Sequence, residues 1–195
     1  MRTSELDVVV VGTGGQGVVL ISEIIGRAAL KAGLPVRGAE THGMAQRGGS
    51  VVDYIRVGCS FSAMVPPGGA DVLLALEPAE ALRYAHYLSP EGVALVNTMP
   101  LHPITVTTGL ATYPELEEIL DLLRGVCKEV RIMDATRLAA EAGHPQAANV
   151  VMLGSLSRYL PIEEEMVMEA MVETVPPRFL DINKRAFELG KTEVE

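Results

Sequence analysis

Asp7-Val8-Val9-Val10-Val11-Gly12-Thr13-Gly14-Gly15-Gln16-Gly17 is the stretch from which the fold follows. An unbroken apolar run predicts a strand buried on both faces, as in a parallel sheet covered by helices, because a strand with one wet face would alternate. The glycines that end it permit a sharp turn. Beyond them Leu20, Ile21, Ile24, Ile25, Ala28 and Ala29 recur at helical spacing, and Gly33 is suited to stopping the helix. A short strand over Pro35 to Ala39 then completes one β-α-β unit.

The same alternation continues downstream. Asp71 to Leu76 and Val93 to Asn97 are further buried strands, and a helix begins near Glu77-Pro78, where proline is tolerated in a first turn. A helix over Pro114 to Leu123 leads into a strand over Val130 to Met133. Ser50 to Val57 mixes β-branched and aromatic residues, and Ser60 to Val65 is expected to pair with it as a hairpin. Glu40 to Gly49 has no usable period and is expected to be a long loop. From Ala135 onward the chain is expected to be helical, with Pro161 opening a short acidic helix and Pro176-Pro177 leading into the last one. Glu163-Glu164-Glu165 is most simply a solvated first turn favoured by the helix dipole. The expected fold class is α/β: a three-layer Rossmann-like domain with a mostly parallel sheet, a hairpin insertion and a helical C-terminal region. No repeat, linker or low-complexity tract divides residues 1–195, so a single domain is expected.

Composition removes several classes of function. A hydrophobic share of 48% with 21% charged residues describes a folded chain rather than a disordered one. No apolar run is long enough for a bilayer and the N-terminus has no leader-like apolar core, so no membrane role and a cytoplasmic location are expected. A formal net charge of -9 argues against a nucleic-acid surface, which needs clustered Lys and Arg. Cys59 and Cys127 lie far apart without CxxC spacing, which predicts two reduced structural thiols rather than a zinc knuckle or a four-thiolate cluster. His86, His102 and His144 have no metal-ligand spacing either.

Gly12, Gly14 and Gly17 match G-x-G-x-x-G in the strand-to-helix setting that a dinucleotide site requires, and Glu40 stands about where an acidic residue would meet the ribose. A helix N-terminus there could hold an anion. One reading is therefore a stand-alone NAD(P)-binding oxidoreductase; the other is a glycine turn that binds no nucleotide. No nucleophile-base pair stands out. Ser50 lacks the setting of a nucleophile elbow, and Gly190-Lys191-Thr192 lacks the leading glycine of a P-loop.

Two stretches taken together, Val11 to Gly17 and Glu40-Thr41-His42-Gly43-Met44-Ala45-Gln46-Arg47-Gly48-Gly49-Ser50-Val51, resemble the gamma-type subunit of 2-oxoacid:ferredoxin oxidoreductases. The His-Gly-Met-Ala-Gln-Arg-Gly-Gly-Ser form resembles that of the small subunit in the indolepyruvate branch. The resemblance continues through Asp71 to Leu76 and from Pro176 to Asn183, ending with Ala186 to Gly190, so it spans nearly the whole chain. It implies a cofactor-free subunit, inactive alone, of a complex that oxidatively decarboxylates indolepyruvate and other arylpyruvates to acyl-CoA and passes electrons to ferredoxin. Thiamine diphosphate, magnesium and iron-sulfur clusters would reside in a larger partner subunit, with coenzyme A as co-substrate. The isolated chain would be prone to self-association. No catalytic or metal-binding residue is expected here, and there is no Gly-Asp-Gly…Asn-Asn signature of a thiamine diphosphate site.

Gly12, Gly14, Gly15, Gln16, Gly17, Glu40, His42, Gln46, Arg47 and Gly48 are then the candidate contacts to substrate, coenzyme A or partner. Arg47 offers a planar pair of donors to a carboxylate or phosphate, or alternatively an ion pair across a subunit interface or a helix cap. His42 could donate to substrate or partner near neutral pH, or simply order its loop. Gln46 suits backbone satisfaction, Met44 an adaptable interface, and Glu40 either a ribose or its own loop.

Overall fold

The computed structural model describes residues 5–42 and 49–193. Its strands are β1 (Leu6–Thr13), β2 (Val36–His42), β3 (Ser50–Val57), β4 (Ala70–Ala75), β5 (Leu88–Asn97) and β6 (Glu129–Met133), joined in one sheet in the order β2-β3-β1-β4-β5-β6. β1, β4, β5 and β6 pair in parallel. β3 runs antiparallel to both of its neighbours, β1 and β2. The sheet is thus α/β in character and mostly parallel, as the buried runs of Val and Leu require.

Alternate residues of each strand feed two separate cores. Val8, Val10, Leu74 and Leu95 point to one face, where they meet α1 (Val18–Lys31) and α6 (Ala148–Leu156). Val9, Val11, Leu73 and Val96 point to the other, where Ala81 of α2 (Pro78–Arg83) and Ile119 and Leu123 of α4 (Leu116–Arg124) cover them. Between β5 and α4 lies a single turn, α3 (Ile104–Thr107). The C-terminal third adds α5 (Ala135–Ala142), α7 (Glu164–Thr174) and α8 (Leu180–Thr192) to the first face, giving three layers.

Local signals explain where the elements stop. After α1, Gly33 takes φ +69°, Leu34 N–H reaches Ala29 O (2.9 Å) and Gly33 N–H reaches Leu30 O (3.1 Å), a paired C-cap that only a residue without Cβ adopts cheaply. Helix α6 is buried at every residue from Asn149 to Leu156. It crosses α8 at backbone contact: a Cβ on Gly154 would stand 2.2 Å from Phe187 O, and one on Gly190 would stand 1.8 Å from Val151 O.

Three expectations are corrected. Ser60 to Val65 forms no strand; the hairpin partner of Ser50–Val57 is β2, in register from Val36↔Val57 to His42↔Val51. The second strand extends to His42, so Glu40 belongs to it rather than to a loop. The acidic helix begins at Glu164, with Glu163 as its N-cap, rather than at Pro161. The physical reason for the first correction is that period-2 patterning identifies strands without naming their partners.

Candidate functional site at the carboxyl edge of the sheet

From β1 the chain turns onto one face to form α1; from β4 it turns onto the other to form α2. Such a divergence between neighbouring parallel strands opens a crevice at their carboxyl ends, the usual ligand position in open α/β sheets. A cleft of about 450 Å³ lies there, bounded by Gly15, Gln16 and Gly17, by Leu76 and Asn97, and by Thr136, Gln146 and Asn149. Among the described residues, no charged side chain lines it.

The glycine turn is built by its own amides. Gln16 Oε1 accepts Thr13 N–H (2.7 Å) and Thr13 Oγ1 (3.1 Å), while Gln16 Nε2 donates to Leu76 O (3.0 Å). Asn97 Nδ2 donates to the same Leu76 carbonyl (3.1 Å), and Asn97 Oδ1 accepts Ala135 N–H (3.1 Å). Two carboxamides therefore tie the ends of β1, β4 and β5 together beneath the cleft. Gly12 is required for this, since a Cβ there would lie 2.9 Å from Gln16 Oε1 and 3.1 Å from Leu76 Cβ.

Gly17 caps α1 with φ +87° and no side-chain hydrogen bond. A Cβ at Gly17 would stand 2.1 Å from Nδ2 of Asn149, a residue 6% exposed whose Oδ1 accepts Val150 N–H (2.9 Å). The third glycine of the motif, which in a dinucleotide fold lets the helix pack closely on its strand, here admits an amide from α6. Since α6 also begins without a side-chain cap, two helix N-termini meet at the cleft, an arrangement that favours an anion.

The structure joins the first motif to the end of the second: Gly14 N–H donates to Gly49 O (2.8 Å), and Thr13 pairs with Ser50. His42 stands level with Gly12 through Val51. Glu40 does not reach the turn. It pairs with Asp53, which pairs with Val10, so it lies at mid-strand level and two strand spacings from β1, roughly 10 Å. That register removes it from a ribose position. Gln46, Arg47 and Gly48 lie outside the described residues.

On the opposite face a second polar cluster holds the loop exit. Ser50 Oγ donates to Glu80 Oε2 (2.5 Å) and lies 3.0 Å from Tyr84 OH, and Glu80 also pairs with Arg83 (3.1 Å). Glu77, 1% exposed, accepts Glu80 N–H (2.9 Å), Leu101 N–H (3.2 Å) and the Tyr113 hydroxyl. Burial, reinforced by Glu77, raises the Tyr113 pKa; burial and the Tyr87 hydroxyl do the same for Tyr54.

Among the described residues no three His, Cys, Asp or Glu side chains converge as a metal site needs. Cys59 and Cys127 are buried in separate parts of the fold, and burial pushes the Cys127 thiol up. No described helix is long and apolar enough to cross a membrane. Sequence reasoning missed Asn97, Thr136, Gln146 and Asn149, which lie far along the chain from the glycine turn and carry no motif.

Comparison with known proteins agrees with this architecture. Residues 7–193 match the family model described as pyruvate ferredoxin/flavodoxin oxidoreductase. The indolepyruvate oxidoreductase subunit IorB of Archaeoglobus fulgidus is 49% identical over 187 residues, covering 95% of this chain and 93% of its own, and that of Thermococcus kodakarensis is 45% identical over 190 residues, covering 95% and 94%. The crystal structure of pyruvate oxidoreductase subunit PORC from Thermotoga maritima superposes with a TM-score of 0.74 at 25% identity over 99% of this chain and 98% of its own. The same fold occurs in 2-oxoglutarate:ferredoxin oxidoreductase from Magnetococcus marinus (TM-score 0.72, 21% identity), where 98% of this chain matches 31% of a longer one.

Proposed function

The chain belongs to the pyruvate ferredoxin/flavodoxin oxidoreductase family as a small subunit of a 2-oxoacid ferredoxin oxidoreductase, and on that footing we propose that its complex oxidises indolepyruvate and related arylpyruvates to acyl-CoA with reduction of ferredoxin. The observation that carries the reading is the 49% identity to an indolepyruvate oxidoreductase subunit over 95% of the chain. Thiamine diphosphate with magnesium, which stabilises the carbanion left by decarboxylation, and the iron-sulfur clusters belong to the larger partner subunit. This chain binds and orients. Its cleft, with the N-termini of α1 and α6, receives an anionic group of coenzyme A or of the 2-oxoacid. Arg47 supplies a bidentate contact to that anion or to a partner carboxylate. The stand-alone dinucleotide enzyme lacks support, because Glu40 lies away from the turn.

Reconstitution tests this. The chain is mixed with the larger subunit, and coenzyme A-dependent reduction of ferredoxin is followed with indolepyruvate, pyruvate and 2-oxoglutarate in turn. Expected are no turnover by either chain alone and the highest kcat/KM for indolepyruvate. Arg47→Lys should lower turnover of the complex by on the order of tenfold to a hundredfold, as loss of a charge-assisted hydrogen bond does. Turnover of NADH by the isolated chain would refute the reading.

A further inference from the structure

Between Glu91 and Glu115 the sequence has no Asp, Glu, Lys or Arg, in a chain of formal net charge -9. The first part of this run is buried in β5. The remainder, Thr98 to Pro114, leaves the carboxyl edge of the sheet and stands out as a small knob around α3. Ile104 is 78% exposed and Leu110 82%, with Met99 and Leu101 about half exposed beside them. Single exposed apolar side chains mean little. Here they are gathered on one short segment, several of whose polar groups bond within it.

The hydroxyls of Thr107 and Thr108 both donate to Ile104 O (3.0 and 2.8 Å). The N–H groups of Leu110 and Ala111 both donate to Thr105 O (2.8 and 3.0 Å). The base is fixed as well. Thr98 N–H donates to Met133 O (2.9 Å), while Leu101 N–H and the Tyr113 hydroxyl both donate to buried Glu77. Covering such a knob strands few unsatisfied polar groups and orders little that is loose, the two costs that most weaken association. Depletion of charge is the mark of an interface core.

We propose that Thr98 to Pro114 is a docking element for the larger subunit, seated in an apolar, uncharged recess of that partner. The inference rests on the subunit reading above. The knob leaves β5 directly after Asn97, which lines the glycine cleft, so a partner seated on the knob stands beside the cleft. A second copy of this chain fits less well, since an isologous interface would set two convex tips against each other. Phe61, 94% exposed, follows β3 at the opposite edge, away from the glycine cleft.

The test uses the full chain and the larger subunit. Binding is measured for the wild type, for Ile104→Asp, Leu110→Asp and the double variant, and for Phe61→Asp. Both knob residues are exposed, so urea midpoints should match the wild type and confirm folding. The double variant is expected to lose on the order of a hundredfold in affinity, as a centrally placed interface residue does, while Phe61→Asp binds normally. Wild-type affinity in the double variant, or loss of affinity in Phe61→Asp alone, would overturn the assignment and leave the subunit reading intact. Loss of self-association with unchanged binding to the larger subunit would also overturn it, by assigning the knob to a homodimer. No binding by the wild type would overturn both the subunit reading and this proposal.

Discussion

At Gly17 two demands meet that no other residue type satisfies: a φ of +87° at the head of α1, and an Asn149 amide where a Cβ would stand. Gly17→Ala is therefore expected to destabilise the fold by about 1–2 kcal/mol from backbone conformation alone, with a further cost from the contact. Asn149→Ala in the same chain should recover the contact part and leave the backbone part. Urea unfolding of both single variants and the double gives the coupling, and strict additivity would show that the two residues do not press on each other. The glycine pattern was legible in the sequence; its occupant was not, because Asn149 is 132 positions beyond Gly17 and belongs to no motif. Gln16 sits between these cases. Its presence in the turn was visible, but its bond to Leu76 O depends on β4 lying beside β1.

Element by element, the buried strands and α1 were the most legible parts, since apolar runs bounded by glycine or proline leave little choice of structure. Partnership was less so. β2 and β3 pair with each other across the second motif, and β3 enters the sheet between β1 and β2; nothing in their patterning distinguishes that pairing from one with Ser60 to Val65. Helix α6 offers a sharper test. It touches α8 through glycine backbones at Gly154 and Gly190, so Gly190→Ala would drive a methyl into Val151 O, a main-chain atom that cannot step aside. A loss on the order of 2–4 kcal/mol is expected, read as a lowered urea midpoint. Gly26→Ala, on α1 with open space around its Cβ position, is the control and should be neutral or mildly stabilising. Equal effects at the two sites would mean the helices are not in backbone contact.

For the molecule as a whole, the shifted groups act in one direction. Burial raises the pKa of Tyr54, Tyr113 and Tyr159, and ion pairing with Glu173 and Glu164 raises those of Lys31 and Lys191. In each case the folded state holds its proton longer than the unfolded chain does. The stability this confers is complete below the unfolded values of about 10 and is lost as pH rises through them towards the folded values. Urea midpoints should thus fall between pH 9 and pH 11, and Tyr113→Phe should flatten that decline; a midpoint constant across the range would contradict the shifts. The β2–β3 ladder has a different kind of consequence. Its register runs to His42↔Val51 and is continued by β1 pairing with β3, so the strands are held in place on both sides of the chain that carries the second motif. Doubling the length of such a connection costs only about 0.6 kcal/mol in closure entropy. A lineage can therefore lengthen, shorten or rewrite that connection with little penalty to folding, so diversification among descendants of this scaffold can proceed through one loop while the framework stays unchanged.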